Sequence, residues 1–211
     1  MFLLSRPTDQ EIRQFISSQQ DRPFSYPDSC RLDEVVPRGY SADHNRIKLG
    51  EGRQVFTRAV QAIKRWEMFN IGWLHLCWPD TPIEAGAAVA VLAQHLGFWS
   101  LNACRIVSVL DEDDERRRYG FTYGTLPDHA ECGQEQFTVG WDRNDDSVWY
   151  DILAYSRPKL LLARLGYPVA RLLQRRFARD SMEAMLRSRA SSLLTGQEHV
   201  ARSVNPEGMP E

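Results

Sequence analysis

The segment YGFTYGTLPDHAECGQEQF, residues 119–137, has the alternation of a β-hairpin and decides the fold class. On its first arm the rings of Tyr119, Phe121 and Tyr123 alternate with glycine and threonine, so the three rings share one face of a strand. Residues 126–129 (LPDH) then turn the chain, because proline fixes φ and aspartate hydrogen-bonds within its own turn. The return arm places four residues on one face: Glu131, Gly133, Glu135 and Phe137. The segment predicts one wall of a pocket, without a recognisable catalytic signature.

Other strand-like runs, rich in β-branched and aromatic residues, extend on both sides of this hairpin. There are six such runs when the two hairpin arms are counted: Asn70–Trp78, Ala87–Leu96, Leu101–Leu110, Arg118–Leu126, Gln134–Trp141 and Ser147–Tyr155. The turns between them are too short for parallel crossovers, so neighbouring runs pair antiparallel. The alanine content of Ala87–Leu96 also fits a helix, but the alternation within it favours a strand. Together with a short strand at Arg46–Leu49, these runs predict a sheet of about seven strands.

Three segments have the apolar periodicity of helices. Residues 8–11 (TDQE) form a capping box that begins a short helix ending before Pro23, and Arg53–Trp66 is amphipathic with no glycine or proline inside it. After Pro158 an apolar stripe predicts a long C-terminal helix that faces the sheet and ends at about Arg189. Its members are Leu161, Leu165, Val169, Leu172, Leu173 and Phe177. Gly166 and Pro168 predict a kink or break near the start of that helix.

The order of elements predicts an α+β fold in which a curved antiparallel sheet wraps around the long C-terminal helix. It is similar to the helix-grip fold of the birch-pollen-allergen and steroid-transfer-domain superfamily. We expect a short helical extension at residues 1–22, the helix-grip domain at 23–190 and a mobile tail at 191–211. A sheet curved around one helix need not close completely, and the remaining space is a cavity lined by alternate strand residues.

Several short motifs resemble one particular family, the "domain of unknown function nineteen-ninety" group, over about Pro23 to Arg187. They include residues 102–105 (NACR), 119–127 (YGFTYGTLP), 150–158 (YDILAYSRP), 166–168 (GYP) and 176–177 (RF). The resemblance implies the helix-grip fold and brings no established reaction and no catalytic residues. The family tends to have two adjacent acidic residues after the glycine at position 133. This chain has Gln134 and Glu135 there, which weakens a mechanism that needs both carboxylates.

Composition limits the function to a few classes. The chain has 211 residues, a net charge of −2 and no apolar run near the roughly 18 residues that span a bilayer. Residues 157–189 carry a net charge of +7, which leaves −9 on the rest, and we expect their arginines to be mostly exposed, with some pairing with the acidic turns at residues 111–115 and 142–146. Widely spaced cysteines predict reduced, buried thiols and a cytoplasmic location. Neither nucleic acid nor a cofactor is indicated, and a membrane surface is disfavoured.

Candidate functional residues lie mainly on the hairpin. Glu135 and His129 are the candidates for acid–base chemistry, if burial raises the pKa of the glutamate. The candidate ligand-binding residues are Arg105, Tyr119, Phe121, Tyr123, Glu131, Phe137, Asp151 and Tyr155. Arg105 either clamps an anionic group of a ligand or forms an internal salt bridge to Glu135 or Asp151, and the salt bridge is favoured. His129, Glu131 and Glu135 lack a metal-binding spacing, so no metal is expected.

Two classes of function fit this pattern. The favoured one is a protein that binds a small apolar or amphipathic molecule in the cavity, with one polar end held by Arg105, His129 or Glu135. The alternative is an enzyme that uses the same cavity for dehydration, cyclisation or hydration. Two or more titratable groups converging in the cavity favour the enzyme, whereas a single anchoring group favours the carrier.

Overall fold

A computed structural model describes residues 1–27, 38–95, 97–158 and 167–202. The sheet has the strand order β2-β8-β7-β6-β5-β4-β3, every neighbouring pair is antiparallel, and β1 adds to β5. The strands are β1 (Phe2–Leu3), β2 (Ser41–Glu51), β3 (Leu74–Cys77), β4 (Ala88–His95), β5 (Phe98–Asp113), β6 (Arg116–Thr125), β7 (Glu131–Asp142) and β8 (Ser147–Pro158). The expected antiparallel sheet of about seven strands is confirmed.

Two helices cover the concave face of this sheet and one covers part of its convex face. The helices are α1 (Asp9–Gln19), α2 (Arg53–Lys64) and α3 (Tyr167–Arg202), with a 3-10 helix at Glu67–Phe69. Phe56 and Ile63 of α2 share one apolar core with Ala178 and Met185 of α3 and with the concave side chains of the strands. The arrangement is the predicted helix grip, with α3 lying in the curve of the sheet.

The N-terminal helix lies on the opposite face. Its N-cap Thr8 accepts a hydrogen bond from Glu11 N, and the Glu11 side chain accepts from Thr8 N, so the predicted capping box is confirmed. Ile12 and Phe15 pack against the convex side of β4 and β5 and against Leu126. Because both faces of β4 are covered, this strand is apolar nearly throughout, which explains why its alternation was ambiguous against a helix.

Two strand bounds differ from the expectation. The strand predicted at Arg46–Leu49 extends from Ser41 to Glu51, and His44, Arg46 and Lys48 face outward along this edge strand, which pairs with β8. The run expected from Asn70 to Trp78 is a strand only from Leu74 to Cys77. Residues 70–73 form a turn and irregular backbone instead, and the 3-10 helix before them turns Met68 and Phe69 into the core.

The glycines of the hairpin allow a close approach on the convex face. A Cβ atom at Gly124 would overlap the hydroxyl of Tyr26 and lie 2.9 Å from the ring of Phe24. These two rings stack at 5.2 Å, and the Tyr26 hydroxyl accepts a hydrogen bond from Gln134. The absence of a side chain at position 124 therefore allows residues 24–26 to lie flat against the sheet, as the alternation of rings and small residues indicated.

The apolar stripe expected on the C-terminal helix is right at Phe177, which packs into the concave core, and wrong at Val169 and Leu172. Val169 and Leu172 are 61% and 66% exposed, whereas Ala178, Ser181 and Met185 are buried against the sheet. Val169 precedes Ala178 by nine residues, about two and a half helical turns, and so lies on the opposite side. Apolar residues alone did not give the whole buried face, because that face contains serine and alanine. Leu161 and Leu165 lie outside the described residues.

The bounds of α3 also differ from the prediction. Pro168 lies in the first turn of the helix, where proline needs no amide partner, so it does not break the helix. The helix continues to Arg202, beyond the expected end at about Arg189. Gly166, the other residue of the expected kink or break, lies outside the described residues, as do residues 203–211 of the tail. The division into extension, domain and tail stays a prediction.

The predicted pairing of the α3 arginines with the acidic turns is wrong among the described residues. Arg171 binds Asp43 of β2, and Arg176 and Arg179 bind Asp180 of their own helix. The acidic turns are instead neutralised by arginines of the neighbouring strands and turn. The pairs are Arg117 with Asp111, Arg118 with Glu112, Arg143 with Asp113 and Arg116 with Asp142. These arginines lie on strands and turns next to the acidic residues, so they form the ion pairs without a contribution from the distant helix.

The observed phase of α3 predicts the effects of two alanine substitutions. Met185→Ala should lower the free energy of unfolding by about 2–5 kcal/mol, because its side chain is 1% exposed and truncation leaves a cavity. Leu172→Ala, the matched control on the same helix, should change it by about 0.5 kcal/mol or less. Urea unfolding followed by tryptophan fluorescence measures both values. Equal losses in the two variants would contradict the observed orientation of the helix.

Candidate functional site

Glu135 lies on the concave face near the middle of the sheet. Strand register places it beside Tyr123 of β6 on one side and Ala154 of β8 on the other, with Asp43 of β2 one strand further. Phe137 follows two residues along β7 on the same face. The row therefore brings two carboxylates and a phenol to the surface that α3 covers, and these groups come from residues that are far apart in the sequence.

The carboxyl group of Glu135 has a strongly perturbed environment. It accepts a hydrogen bond of 2.7 Å from the Tyr123 hydroxyl. Burial raises the pKa of Glu135 from its ordinary value of 4.5 to about 7, the Tyr123 hydrogen bond lowers it, and the negative charges of Glu131 and Asp43 raise it further. Burial and the same carboxylate also raise the pKa of Tyr123, so that phenol stays protonated and acts as a donor. Glu135 is thus poised between its two protonation states near neutral pH.

Four rings of the concave core form what we call the aromatic cluster: Phe69, Tyr123, Phe137 and Phe177. Tyr123 and Phe137 are the members that neighbour Glu135 on its face of the sheet. The centroids of Phe69 and Phe137 are 5.5 Å apart, those of Phe69 and Phe177 are also 5.5 Å apart, and those of Tyr123 and Phe137 are 5.4 Å apart. The 3-10 helix, two strands and α3 each contribute to it, so the cluster exists only when all of these elements are packed. Its rings give the interior an apolar surface of negative π-faces.

Glu131 belongs to a polar network that attaches α3 to the sheet. Its carboxylate accepts a hydrogen bond of 2.7 Å from the Gln174 amide, which also donates to the Ser156 hydroxyl at 3.0 Å. Gln174 in turn accepts from Arg171, whose guanidinium binds both oxygens of Asp43. Burial raises the pKa of Glu131, and the hydrogen bonds from Gln174 and Ser156 oppose that shift. Glu131 is therefore held in place by its neighbours, unlike Glu135.

Sequence reasoning did not identify the residues of α3 that face this region. The Ser181 hydroxyl lies 3.0 Å from the Tyr150 hydroxyl in the buried core, and Gln174 joins Glu131 to Ser156 as described above. A serine within an apolar helix face is a weak sequence signal. The structure explains the burial of Ser181, because its hydroxyl lies beside the buried phenol of Tyr150 on β8. No sequence signal distinguished Gln174 from an exposed glutamine.

Arg105 does not lie in the interior, so the favoured salt bridge to Glu135 or Asp151 is wrong. Binding of an anionic ligand group by Arg105 stays a prediction. Its neighbours Cys104 and Ile106 are in the concave core, so strand alternation turns Arg105 to the convex face. There its guanidinium donates to Gln20 O at 2.6 Å and Arg22 O at 3.0 Å and lies over the Phe24 ring. Arg105 thereby binds the carbonyl groups at and after the end of α1, a structural role that a cation performs well at a helix C-terminus.

Asp151 and Tyr155 also lie on the convex face, contrary to the expectation that they line the cavity. Tyr150 and Ile152 are in the concave core, so Asp151 points outward, where it contacts His44 at 2.7 Å and Arg46 at 3.5 Å. Tyr155 pairs with Gln134, which bonds to Tyr26 on the convex side. The prediction failed because β8 carries aromatic and aliphatic residues on both faces, so its alternation gives no signal of which face is which.

The remaining candidates are placed within the hairpin or under α2. His129 Nδ1 accepts a hydrogen bond of 2.9 Å from Glu131 N, so the imidazole stabilises the turn that carries it. Tyr119 and Phe121 are buried in the concave core, with Lys64 of α2 over the Tyr119 ring and Trp66 4.8 Å from Phe121. Their roles in ligand binding stay predictions. Within the described parts of the chain, no three His, Cys, Asp or Glu side chains are arranged to hold a metal ion.

An open groove of about 580 Å³ lies elsewhere, between α2 and the ends of β5–β7. Its lining includes Phe56, Trp141 and three arginines. Two of those arginines, Arg117 and Arg143, are already bound to aspartates, and Trp141 donates to Asp146. Most polar groups named for this groove therefore already have partners. The titratable groups with clearly shifted pKa values that share one face of the sheet are those around Glu135.

The sheet, its two concave helices and the acidic, aromatic interior define a helix-grip domain. The chain belongs to the family of the domain of unknown function DUF1990, whose family model matches residues 25–184. The UPF0548 protein of Dictyostelium discoideum is 33% identical over 91% of this chain and 97% of its own length. That of Deinococcus radiodurans is 32% identical over 89% of this chain and 98% of its own length.

Solved structures resemble the chain more distantly. Human STARD10 has a TM-score of 0.47 at 12% identity, covering 94% of this chain and 86% of that one. Among the described residues, none of the helices is both long enough and apolar enough to cross a membrane.

The perturbed carboxyl group predicts a pH-dependent effect of Glu135→Gln on stability. The unfolded chain loses this proton near pH 4.5 and the folded protein only near pH 7, so ionisation favours the unfolded state as the pH rises between these values. Glutamine removes that cost and still accepts from Tyr123. The variant should be more stable than the unmutated protein by about 2–3 kcal/mol at pH 8.

The same comparison at about pH 4.5 should show little difference, because Glu135 is then protonated in the folded state. Urea unfolding at the two pH values measures the change. Glu84→Gln, at an exposed glutamate, is the control and should show no such pH dependence. A stability gain for Glu135→Gln that is the same at both pH values would contradict a carboxyl group with a raised pKa.

Proposed function

We propose that this protein binds a small amphipathic molecule between the concave face of the sheet and α3. The apolar part of the molecule lies against the aromatic cluster, and its polar end meets Glu135. The observation that carries the proposal is the incomplete hydrogen bonding of Glu135. Among the described residues, Tyr123 is the one hydrogen-bond donor that reaches this carboxyl group.

A buried carboxylate has room for about four hydrogen bonds and is costly to bury with one. Glu135 is half-buried by surface exposure, yet desolvation is the largest influence on its pKa. A ligand that reaches the accessible part of this side chain would supply the missing donors, and the neighbouring apolar side chains would bury the rest of the molecule.

Acid–base catalysis at the same place is the second candidate. Its support is the pKa of about 7 for Glu135, which suits a group that takes and returns protons near neutral pH. Glu131 and Tyr123 add titratable groups nearby, but the first is bound to Gln174 and the second is a phenol with a raised pKa. This leaves Glu135 as the group for proton transfer, with no second residue assigned as its acid or base partner. Binding is therefore the better-supported function.

A pair of alanine-to-phenylalanine variants tests the proposed location. Ala154 neighbours Glu135 on the concave face, whereas Ala42 is exposed on the convex face of β2. The neutral fluorophore N-phenyl-1-naphthylamine should bind the unmutated protein saturably, because the aromatic interior desolvates it. Ala154→Phe should abolish this binding by filling the space, and Ala42→Phe should leave it unchanged. Fluorescence titration measures all three.

Native mass spectrometry of freshly purified protein detects a co-purified ligand and gives its mass. A co-purified small molecule at one copy per chain, lost in Ala154→Phe and retained in Ala42→Phe, supports binding at this place. Saturable fluorophore binding that survives Ala154→Phe would contradict the proposed location. If no variant and no unmutated protein binds the fluorophore or carries a small molecule, the proposed function itself is wrong.

A further inference from the structure

The charges around Glu135 are of one sign. Among the described residues, the charged groups whose fields change its pKa most are Glu131 and Asp43, both carboxylates on the same face of the sheet. Arg171 binds both oxygens of Asp43, and its charge lowers the pKa of Glu131. Among the described residues, no arginine or lysine forms an ion pair with Glu135, so the charge of this carboxylate is not neutralised by direct contact.

The ionised Glu135 carboxylate can accept further hydrogen bonds but cannot donate any. An ionised carboxylate only accepts hydrogen bonds, and the Tyr123 hydroxyl already donates its proton to it. A ligand group that meets Glu135 must therefore be a donor. A carboxylate or phosphate would meet the negative charges of Glu131 and Glu135, and the Gln174 amide, the described donor that reaches Glu131, is already bound to Glu131 and Ser156.

The rings next to Glu135 add a third preference. Phe137 lies on the same face two residues along β7, and Phe177 of α3 is 6.2 Å from it, at an interplanar angle of 87°. Phe69 completes the group at 5.5 Å from each of these rings. A ring face near a polar position attracts a cation, and this attraction is larger where water is excluded.

From these three observations we propose that the polar end of the ligand is a protonated amine, which donates to Glu135 and lies against the aromatic cluster. This inference rests on the proposed function and specifies its ligand class as an amphipathic amine. The apolar part of the molecule extends from the amine along the rings of the concave core. The negative charge, the unused acceptor positions and the ring faces all favour a cation, and a neutral alcohol uses only the acceptor positions.

Three eight-carbon ligands that differ only in the polar end test this inference. Octylammonium, 1-octanol and octanoate are titrated into the full-length protein by isothermal calorimetry at about pH 8, where the amine is charged and Glu135 is ionised. Octylammonium should bind about tenfold more tightly than 1-octanol or better, because a charge-assisted hydrogen bond and a cation–π contact are added. Octanoate should bind most weakly.

Two variants assign the preference to the named groups. Glu135→Gln should reduce the affinity for octylammonium to that for 1-octanol while leaving 1-octanol binding nearly unchanged. Glu84→Gln, at an exposed position, is the control and should keep the full preference. Phe177→Leu, which removes one ring but keeps an apolar side chain, should reduce the preference for octylammonium about threefold.

The outcomes separate the amine inference from the proposed function. If 1-octanol or octanoate binds as tightly as octylammonium, the amine inference is wrong and the binding function stands. If Glu135→Gln keeps the preference, the amine is not recognised at Glu135 and the inference is wrong. If none of the three ligands binds and N-phenyl-1-naphthylamine does not bind either, both the inference and the proposed function are wrong.

Discussion

The packing of α3 against the concave face of the sheet is the interaction on which the rest of this structure depends. Phe177, Ala178 and Met185 meet side chains from the strands and the 3-10 helix, and this burial removes a row of large rings from water. Burial in the same interior raises the pKa of Glu135. Stability and the properties of the candidate site therefore come from one interface, and a loosened helix would weaken both.

Glu131 and Glu135 of β7 have different hydrogen bonding at this interface. Glu131 is bound by Gln174, which links it to Arg171 and Asp43, so its network sets where the first turns of α3 lie on the sheet. A polar network of this kind fixes a geometry more than it adds stability. Glu135, four residues along the same face, has the Tyr123 hydroxyl as its hydrogen-bond donor among the described residues. The contrast between a satisfied and an under-satisfied carboxylate is what makes Glu135 the candidate for ligand contact.

The convex face uses polar residues for a different purpose. Arg105 binds the carbonyl groups at and after the end of α1, Asp151 binds His44 and Arg46, and Gln134 binds Tyr26. Each of these contacts attaches a peripheral segment or an edge strand to the outside of the sheet. Because successive strand residues alternate between faces, a shift of one position decides whether a charged residue stabilises the outer layer or faces the interior.

The sequence by itself determined the element order, the antiparallel pairing, the capping box of α1 and the hairpin with its rings on one face. All of these depend on short-range periodicity and turn chemistry, which neighbouring residues express. It also pointed to Glu135, because a glutamate on the ring-bearing side of a hairpin is unusual. Only the tertiary structure decided that Arg105, Asp151 and Tyr155 face outward and that α3 buries Ala178 and Ser181 rather than Val169 and Leu172. The face of a doubly covered strand and the phase of a helix are set by what packs against them, and those partners are distant in the sequence.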